Sequence, residues 1–212
     1  MFCGIDEAGR GPVLGPLVIA GLACDTGGLH ALNGLCKRDS KRTPRNTREK
    51  LYEILTKEYP YHVIKIAPQD LDRARNNGLS LNVLEAMKFG ALLDVLKPRK
   101  AFLDCADVLP QNFRRAVLKN LDHKCELVVE HKADERYPIV SAASIIAKVE
   151  RDGEIKRLGE KYGDMGSGYS SDPKTISFLE KWVRDKGELP PFARQTWKTS
   201  SRAKNMKLLD FF

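Results

Sequence analysis

Three acidic residues stand at or just past the ends of short apolar segments. Asp6 follows FCGI, Asp104 follows AFL, and Asp134 follows ELVVE after the three residues HKA. Removing a carboxylate from water is costly unless the carboxylate is paired or bound to a metal. If these segments are neighbouring strands, the acids converge at one sheet edge and favour an oxygen-preferring cation such as Mg²⁺ or Mn²⁺. Two such ions about 4 Å apart can activate a water and stabilise the leaving oxygen of a phosphodiester.

Surface acids at strand ends are common, so each of the three acids taken alone is better explained as a solvated surface residue. The residue pattern does not establish that the three segments are adjacent in space. Other acidic residues compete for the same role, namely Asp39, Asp107, Glu130 and Glu135. The pattern therefore predicts a carboxylate-rich metal site and leaves its membership open.

Apolar β-like segments alternate with amphipathic segments along the chain. Strands are predicted over residues 2–5, 13–24, 61–66, 101–103 and 126–130. Helices are predicted to begin at Thr43-Pro44 (threonine as N-cap, proline as first helical residue), at Ser80, near Phe113, at Tyr137-Pro138 and at Asp172-Pro173. This order predicts an α/β fold with a mixed central β-sheet flanked by helices.

The 212 residues suit one domain, or one domain with a small extension. No apolar run is long enough to span a bilayer, and the start MFCG lacks the basic lead of a signal peptide. We therefore expect a cytoplasmic location and no membrane partner. The five cysteines form no CxxC pair, which argues against a zinc module and favours small buried apolar side chains.

Lysine and arginine outnumber the acidic residues by 36 to 28, which gives a formal charge of +8 and favours a polyanionic partner. Residues 194–207 (RQTWKTSSRAKNMK) include several basic residues and no acidic one. Such a stretch can be a solvated tail. The indole of Trp197 among basic and hydroxyl residues instead suits a surface that lies along a sugar–phosphate backbone.

The segment GIDEAGRGPVLGP, residues 4–16, strongly resembles the opening motif of the ribonuclease HII family. Further matches follow in the family's order: DSK at 39–41, FLD at 102–104, HKADERYP at 131–138, AASIIAKVER at 142–151 and GSGYSSDP at 166–173. The resemblance runs from residue 4 to about residue 200. It implies an RNase H-like catalytic domain over residues 1–170, a small helical, basic C-terminal extension over 171–204, and a tail over 205–212.

The resemblance also implies an activity and its ligands. The family's four metal-binding carboxylates fall on Asp6, Glu7, Asp104 and Asp134, and Glu7 is added by this match alone. The expected reaction is endonucleolytic hydrolysis of RNA in RNA–DNA hybrids, including cutting on the 5′ side of single ribonucleotides embedded in duplex DNA. Two Mg²⁺ or Mn²⁺ ions would support in-line attack by water, which leaves 5′-phosphate and 3′-hydroxyl ends.

The turn Gly9-Arg10-Gly11 matches the segment with which the family reads the ribose 2′-hydroxyl. Small residues there let backbone amides approach the sugar, although the same glycines also suit a plain tight turn. Tyr169 matches the family tyrosine that packs on the sugar at the RNA–DNA junction. Further substrate contacts, to backbone phosphates, are expected from Lys41, Ser144 and Lys148.

Some features depart from the family pattern or leave alternatives open. Helix packing or solvation explains Ser144 and Lys148 about as well as phosphate binding does. Cys105 stands where a small polar residue, usually serine, is expected, and Arg38 stands where an apolar residue is commoner. Neither change removes a predicted metal ligand, although Cys105 can alter the local polarity.

The chain ends NMKLLDFF, which resembles the peptide that docks on PCNA-like sliding clamps. In one turn of helix, Leu208, Phe211 and Phe212 would project together into an apolar pocket. Asn205 replaces the usual glutamine. The two phenylalanines could instead fold onto the protein's own core. Clamp docking is favoured because apolar residues exposed at a chain end usually mark a binding surface.

Two other functions compete with that of a hybrid-cutting, monomeric enzyme. A nuclease of the same fold could act on DNA junctions, but the Gly-Arg-Gly turn and Tyr169 argue against that substrate. A hybrid-binding protein without catalysis is disfavoured because all four acidic positions are present.

Overall fold

The computed structural model describes residues 1–36 and 44–209, and for residues 205–209 it describes the helical backbone alone. The DSK segment at 39–41 with Lys41, the predicted N-cap Thr43, and the terminal Phe211 and Phe212 lie outside the described residues. The side chain of Leu208 does so as well.

The described part of the chain contains a five-stranded mixed sheet with the order β3-β2-β1-β4-β5. Strand β1 pairs antiparallel with β2 and parallel with β4, and β4 pairs parallel with β5. The strands are β1 (Phe2–Ala8), β2 (Leu17–Cys24), β3 (Tyr61–Ile66), β4 (Lys100–Asp104) and β5 (Glu126–Glu130).

Helices make up most of the remaining described residues. They are α1 (Thr26–Leu35), α2 (Arg45–Glu58), α3 (Pro68–Asn76), α4 (Leu81–Leu96), α5 (Pro110–Leu118), α6 (Ala133–Arg136), α7 (Pro138–Tyr162), α8 (Pro173–Lys186) and α9 (Lys198–Leu209). A mixed sheet with flanking helices and a helical C-terminal segment confirms the predicted α/β fold class.

Local signals placed some helix ends correctly. The Ser80 side chain accepts a hydrogen bond from the Val83 amide, and α4 follows, as its N-cap position predicts. Asp172 caps α8 in the same way by accepting from the Lys174 amide. Helix α2 begins at Arg45 with Pro44 in the N-cap position, so the prediction that Pro44 is the first helical residue is wrong.

The strand predicted from residue 13 begins only at Leu17. Gly15 adopts a φ of +82°, in the left-handed region, and Pro16 has no amide hydrogen to donate to a strand neighbour. The Gly15 amide instead bonds the Phe192 carbonyl at 2.9 Å. The apolar run over 13–16 is therefore a buried loop, and its hydrophobicity reflects burial without β structure.

The chain divides into two compact units. The first comprises Met1–Ala8, Val18–Ile64 and Ser80–Val149, and the second comprises Gly9–Leu17, Lys65–Leu79 and Glu150–Phe212. In the first unit, β1 lies directly on α7: a Cβ atom added at Gly4 would stand 2.3 Å from the Ile139 carbonyl oxygen. The apolar first half of α7 is buried, as its sequence predicted.

The core of the second unit contains four neighbouring aromatic rings, with Phe192 at 4.8–6.1 Å from the other three centroids. The other rings belong to Tyr162, Phe178 and Trp182.

Four of the cysteines are buried and free, and Cys125 is half-buried and also free, so burial of all five was not fully correct. Within the described residues no helix has the length and apolarity that crossing a bilayer requires.

Candidate active site

The sheet order of the first unit brings Asp6, Asp104 and the segment leading to Asp134 to one edge. Of the three acids predicted at strand ends, only Asp104 ends a strand, because Asp6 lies within β1 and Asp134 lies on α6. In the parallel pair of β1 and β4, Ile5 stands opposite Leu103, so Asp6 and Asp104 are the next residues along each strand. Strand β5 runs parallel to β4 on its other side, and Asp104 stands opposite Glu130. Because parallel neighbours end at the same edge, the segments leading to Asp6, Asp104 and Asp134 meet there.

Asp6 is 5% exposed, and its environment disfavours the charged form. Burial, which is the largest cause, and the negative charges of Asp104 and Asp134 together raise the pKa of the Asp6 carboxyl to about 7. A hydrogen bond from Ser144 and the positive charge of Lys148 oppose this shift. The three carboxylates are therefore close enough to repel one another in a setting with little water.

Asp104 is held by the segment that carries Asp134. The Ala133 amide donates a 2.7 Å hydrogen bond to Oδ1 of Asp104. Lys132, just before it, adopts the left-handed region with a φ of +56° and begins the short helix α6. Asp134 follows on that helix and is 2% exposed. The turn at Lys132 thus directs the Ala133 amide toward Asp104 and places Asp134 on α6.

Glu7 is half-buried on β1. Burial raises the pKa of the Cys105 thiol, and the charges of Asp107, Asp104 and Glu7 raise it further. The Glu7 carboxylate therefore lies close to the residue that follows Asp104. Strand-end reasoning missed Glu7 because successive side chains of a strand point to opposite faces, and the family resemblance supplied it.

The donor chemistry of these residues fits a hard divalent cation. Carboxylate oxygens are ligands that Mg²⁺ and Mn²⁺ prefer, and a cation would neutralise the repulsion that disfavours charged Asp6. Within residues 1–36 and 44–209, however, no three His, Cys, Asp or Glu side chains are grouped as a ready-made metal site. The acids converge without forming a complete coordination cage.

Ser144 and Lys148 belong to the surroundings of Asp6. Ser144 is fully buried, hydrogen-bonds Asp6, and accepts a 2.8 Å hydrogen bond from Lys148 Nζ. These contacts favour a role in orienting Asp6. The predicted phosphate contact of Ser144 and Lys148 stays a prediction.

In the second unit, the predicted turn and the predicted tyrosine are neighbours. A Cβ atom added at Gly11 would stand 3.9 Å from Cε1 of Tyr169. Gly9 adopts a φ of +87°, and a Cβ atom there would stand 2.7 Å from the Pro16 carbonyl oxygen. Glycine is therefore required at position 9 by the backbone, whereas position 11 leaves space beside a tyrosine that is 38% exposed.

Arg151 supports Tyr169, a role that sequence reasoning missed. Its guanidinium carbon lies 4.8 Å from the centroid of the Tyr169 ring, and Nη2 donates a 2.6 Å hydrogen bond to the Ser167 carbonyl. Arg151 is 4% exposed. The Val13 and Leu14 amides also bond the Gly168 carbonyl, which attaches the tyrosine loop to the segment after the turn.

The basic segment around Trp197 is not a frayed tail. Trp197 packs against the core of the second unit, with the guanidinium groups of Arg75 and Arg194 at 5.6 and 4.9 Å from its ring centroid. Trp197 is therefore a half-buried part of that core, and the sugar–phosphate contact of this segment stays a prediction.

Comparison with known proteins agrees with the fold and the motif order. A sequence model of the ribonuclease HII family matches residues 3–200. Ribonuclease HII of Pyrococcus horikoshii is 43% identical over 217 residues, which cover 99% of this chain and 97% of that protein. Ribonuclease HII of Archaeoglobus fulgidus is 43% identical over the full length of both chains.

Solved structures show the same architecture. The crystal structure of ribonuclease H2 from Pyrococcus horikoshii OT3 superposes with a TM-score of 0.90 at 42% identity and covers 97% of each chain. The ribonuclease HII chain solved in a complex with PCNA from Archaeoglobus fulgidus gives a TM-score of 0.84 at 44% identity, over 93% of this chain and 95% of that one. The chain therefore belongs to the ribonuclease HII family and is a ribonuclease H endonuclease.

Proposed function

We propose that this ribonuclease cuts the RNA strand of RNA–DNA hybrids and also cuts duplex DNA on the 5′ side of a single embedded ribonucleotide. The products would carry 5′-phosphate and 3′-hydroxyl ends. Family membership supports ribonuclease activity on hybrids. The observation that supports hydrolysis at this site most strongly is the buried Asp6, whose pKa is raised to about 7 by burial and by Asp104 and Asp134.

The proposed metal ligands are Asp6, Glu7, Asp104 and Asp134. Two Mg²⁺ or Mn²⁺ ions bound there would supply an activated water and stabilise the leaving oxygen. The chain itself orients the ligands. The Ala133 amide fixes Asp104, and the Ser144 hydroxyl fixes Asp6.

Substrate recognition is proposed for the Gly9-Arg10-Gly11 turn and Tyr169. A ribose packed on the tyrosine ring would offer its 2′-hydroxyl to backbone amides of the turn. Because deoxyribose lacks this hydroxyl, the contact would distinguish RNA from DNA. The space beside Gly11 and the exposed edge of Tyr169 support this assignment. Contacts to backbone phosphates remain proposals for Lys41, Ser144 and Lys148.

A labelled DNA duplex with one ribonucleotide, incubated with Mg²⁺ or Mn²⁺, tests this function. We expect a single cut on the 5′ side of the ribonucleotide, no cut in the all-DNA duplex, and loss of cutting in Asp6→Asn. The matched control is Glu135→Gln, a neighbouring acid that lies 3.6 Å from the Lys132 ammonium, which should keep activity. Cutting of all-DNA junctions, or binding without cutting, contradicts the proposal.

Clamp binding is a second, separable proposal. The Archaeoglobus fulgidus relative was solved in complex with PCNA, and the last residues of this chain, with Leu208, Phe211 and Phe212, resemble a clamp-docking peptide. We expect Phe211→Ala with Phe212→Ala to abolish binding to a PCNA-like clamp and to leave nuclease activity intact. Asp210→Asn, within the same peptide, is the control. Unchanged affinity of the double variant for the clamp would show that the tail does not bind it.

A monomeric state, a cytoplasmic location, and the domain boundaries after residues 170 and 204 stay predictions.

A further inference from the structure

Arg194 is the largest fully buried side chain in the described part of the protein. Its guanidinium donates to three backbone carbonyls of one segment of the second unit. Nη1 bonds the Arg10 oxygen at 2.9 Å, Nε bonds the Gly15 oxygen at 3.1 Å, and Nη2 bonds the Gly9 oxygen. The guanidinium is planar and rigid, so these three carbonyls are fixed relative to one another.

This geometry has a consequence for the amides of the turn. In a planar trans peptide, the carbonyl of one residue and the N–H of the next point in opposite directions. Holding the carbonyls of Gly9 and Arg10 toward Arg194 therefore turns the N–H groups of Arg10 and Gly11 away from it. Those amides lie in the turn that borders Tyr169.

The backbone amide and the backbone carbonyl of Arg194 are both hydrogen-bonded. Its amide donates to the Val13 carbonyl at 2.9 Å, and its carbonyl accepts from the buried Ser200 hydroxyl at 2.7 Å. The next two amides, of Gln195 and Thr196, donate to the carboxylate of Asp72 at 2.8 and 2.9 Å. The arginine is thus fixed by three separate elements of the second unit.

We infer that Arg194 is a positioning residue for ribonucleotide recognition: it presents the Arg10 and Gly11 amides to the ribose 2′-hydroxyl without touching the substrate. This inference rests on the proposed function. A buried cation is costly to desolvate, and charge-assisted hydrogen bonds to carbonyls offset that cost. Sequence context gave no sign of this role, because Arg194 stands at the start of a basic segment that resembles a solvated tail.

The test compares binding of two duplexes that differ in one 2′-hydroxyl. In an Asp134→Asn background, which should not cut, fluorescence anisotropy gives the Kd for a DNA duplex with one ribonucleotide and for the all-DNA duplex. The Kd for the all-DNA duplex divided by the Kd for the ribonucleotide duplex reports 2′-hydroxyl recognition. A lower fraction of folded protein would change both Kd values equally and leave their ratio unchanged.

We expect Arg194→Gln to lower this ratio about tenfold, the effect of about 1.4 kcal/mol of lost hydrogen bonding. Arg194→Lys, which keeps the charge but has a single nitrogen donor, should lower the ratio less. The exposed Arg115→Gln is the control for loss of one positive charge and should keep the parent ratio. An unchanged ratio in folded Arg194→Gln overturns the inference while the proposed function stands.

If Arg194→Gln does not fold, Arg194→Lys decides, because its single nitrogen cannot hold all three carbonyls that the guanidinium holds. A fall in its ratio supports the inference, and an unchanged ratio overturns it. A parent protein that binds both duplexes equally contradicts the proposed ribonucleotide recognition itself, and the inference fails with it.

Discussion

The backbone amide of Ala133 donates a 2.7 Å hydrogen bond to Oδ1 of Asp104, which ties the segment after β5 to the end of β4. The bond depends on the residue before it. Lys132 occupies the left-handed region, which costs a residue with a Cβ atom about 1 kcal/mol and a β-branched residue more. The position of two proposed ligands therefore depends on one strained backbone conformation.

Lys132→Val should lower the free energy of unfolding by about 2 kcal/mol and weaken Mn²⁺ binding, because a β-branched residue resists this conformation. Lys132→Gly should keep both properties, since glycine adopts it without strain. Both variants remove the same charge, so each controls for the other. Urea unfolding and calorimetric Mn²⁺ titration measure the two effects. Equal stability and equal Mn²⁺ affinity of the two variants would show that the turn does not position the ligands.

The metal-free protein should lose stability as the pH rises. The pKa of Asp6 is raised to about 7 in the folded protein from an ordinary value of about 4, so the folded state binds this proton more tightly than the unfolded chain. The stability that the protonated carboxyl contributes is therefore full below about pH 4 and is lost up to about pH 7.

Asp6→Asn should remove this pH dependence and stabilise the metal-free protein at pH 8 by about 2 kcal/mol, because the amide carries no charge. Urea unfolding in EDTA at pH 5 and pH 8 measures the difference, with Glu135→Gln as the control that keeps the pH dependence of the parent. A less stable Asp6→Asn protein at pH 8 would show that burial and the neighbouring carboxylates do not disfavour the charged form of Asp6.

The sequence predicted strands β3, β4 and β5 closely, but β1 extends beyond the predicted residues 2–5 to Ala8, so Asp6 lies within it. The sequence could not predict that β1, β4 and β5 are adjacent. The pairing of β1 with β4 depends on contacts between residues about a hundred positions apart, such as Ile5 and Leu103, which short motifs do not encode. Helix α1 was missed because its three glycines disfavour helix, and α3 because a polar surface helix has little apolar periodicity.

Arg194 and Arg151 were unpredictable for a different reason. Their partners are backbone carbonyls, and Arg194 bonds the Arg10 carbonyl across 184 positions. A buried arginine that binds carbonyls has the same local sequence as a solvated one, so its role is visible only in the folded chain.

Glycines 9 and 11 should respond differently to alanine. Gly11→Ala should fold with a stability within about 0.5 kcal/mol of the parent, because its Cβ meets only ordinary contacts. The added methyl would occupy the space beside Tyr169 where the ribose is proposed to pack, so kcat/KM should fall about tenfold or more. Gly9→Ala should instead destabilise the protein by about 2 kcal/mol, because its φ is positive.

Thermal unfolding and steady-state kinetics on the hybrid separate these two effects. Full activity of Gly11→Ala would argue against a sugar at this position.

Arg151→Met should raise KM about fivefold with little change in kcat, because it removes the guanidinium that holds the Tyr169 ring but keeps the apolar stem. Arg157→Met, an exposed arginine on the same helix α7, is the control for the lost charge. Steady-state kinetics on a single-ribonucleotide duplex measure both. A KM equal to that of the control would mean that Arg151 does not position the tyrosine.

The chemical ends left beside a single ribonucleotide test the central claim most directly. Attack by water held at the four carboxylates predicts a 3′-hydroxyl on the upstream DNA fragment and a 5′-phosphate on the ribonucleotide. The alternative, attack by the ribose's own 2′-hydroxyl, cuts on the 3′ side and leaves a 2′,3′-cyclic phosphate. Mass spectrometry of both fragments distinguishes the two, and a cyclic phosphate would contradict hydrolysis by Asp6, Glu7, Asp104 and Asp134.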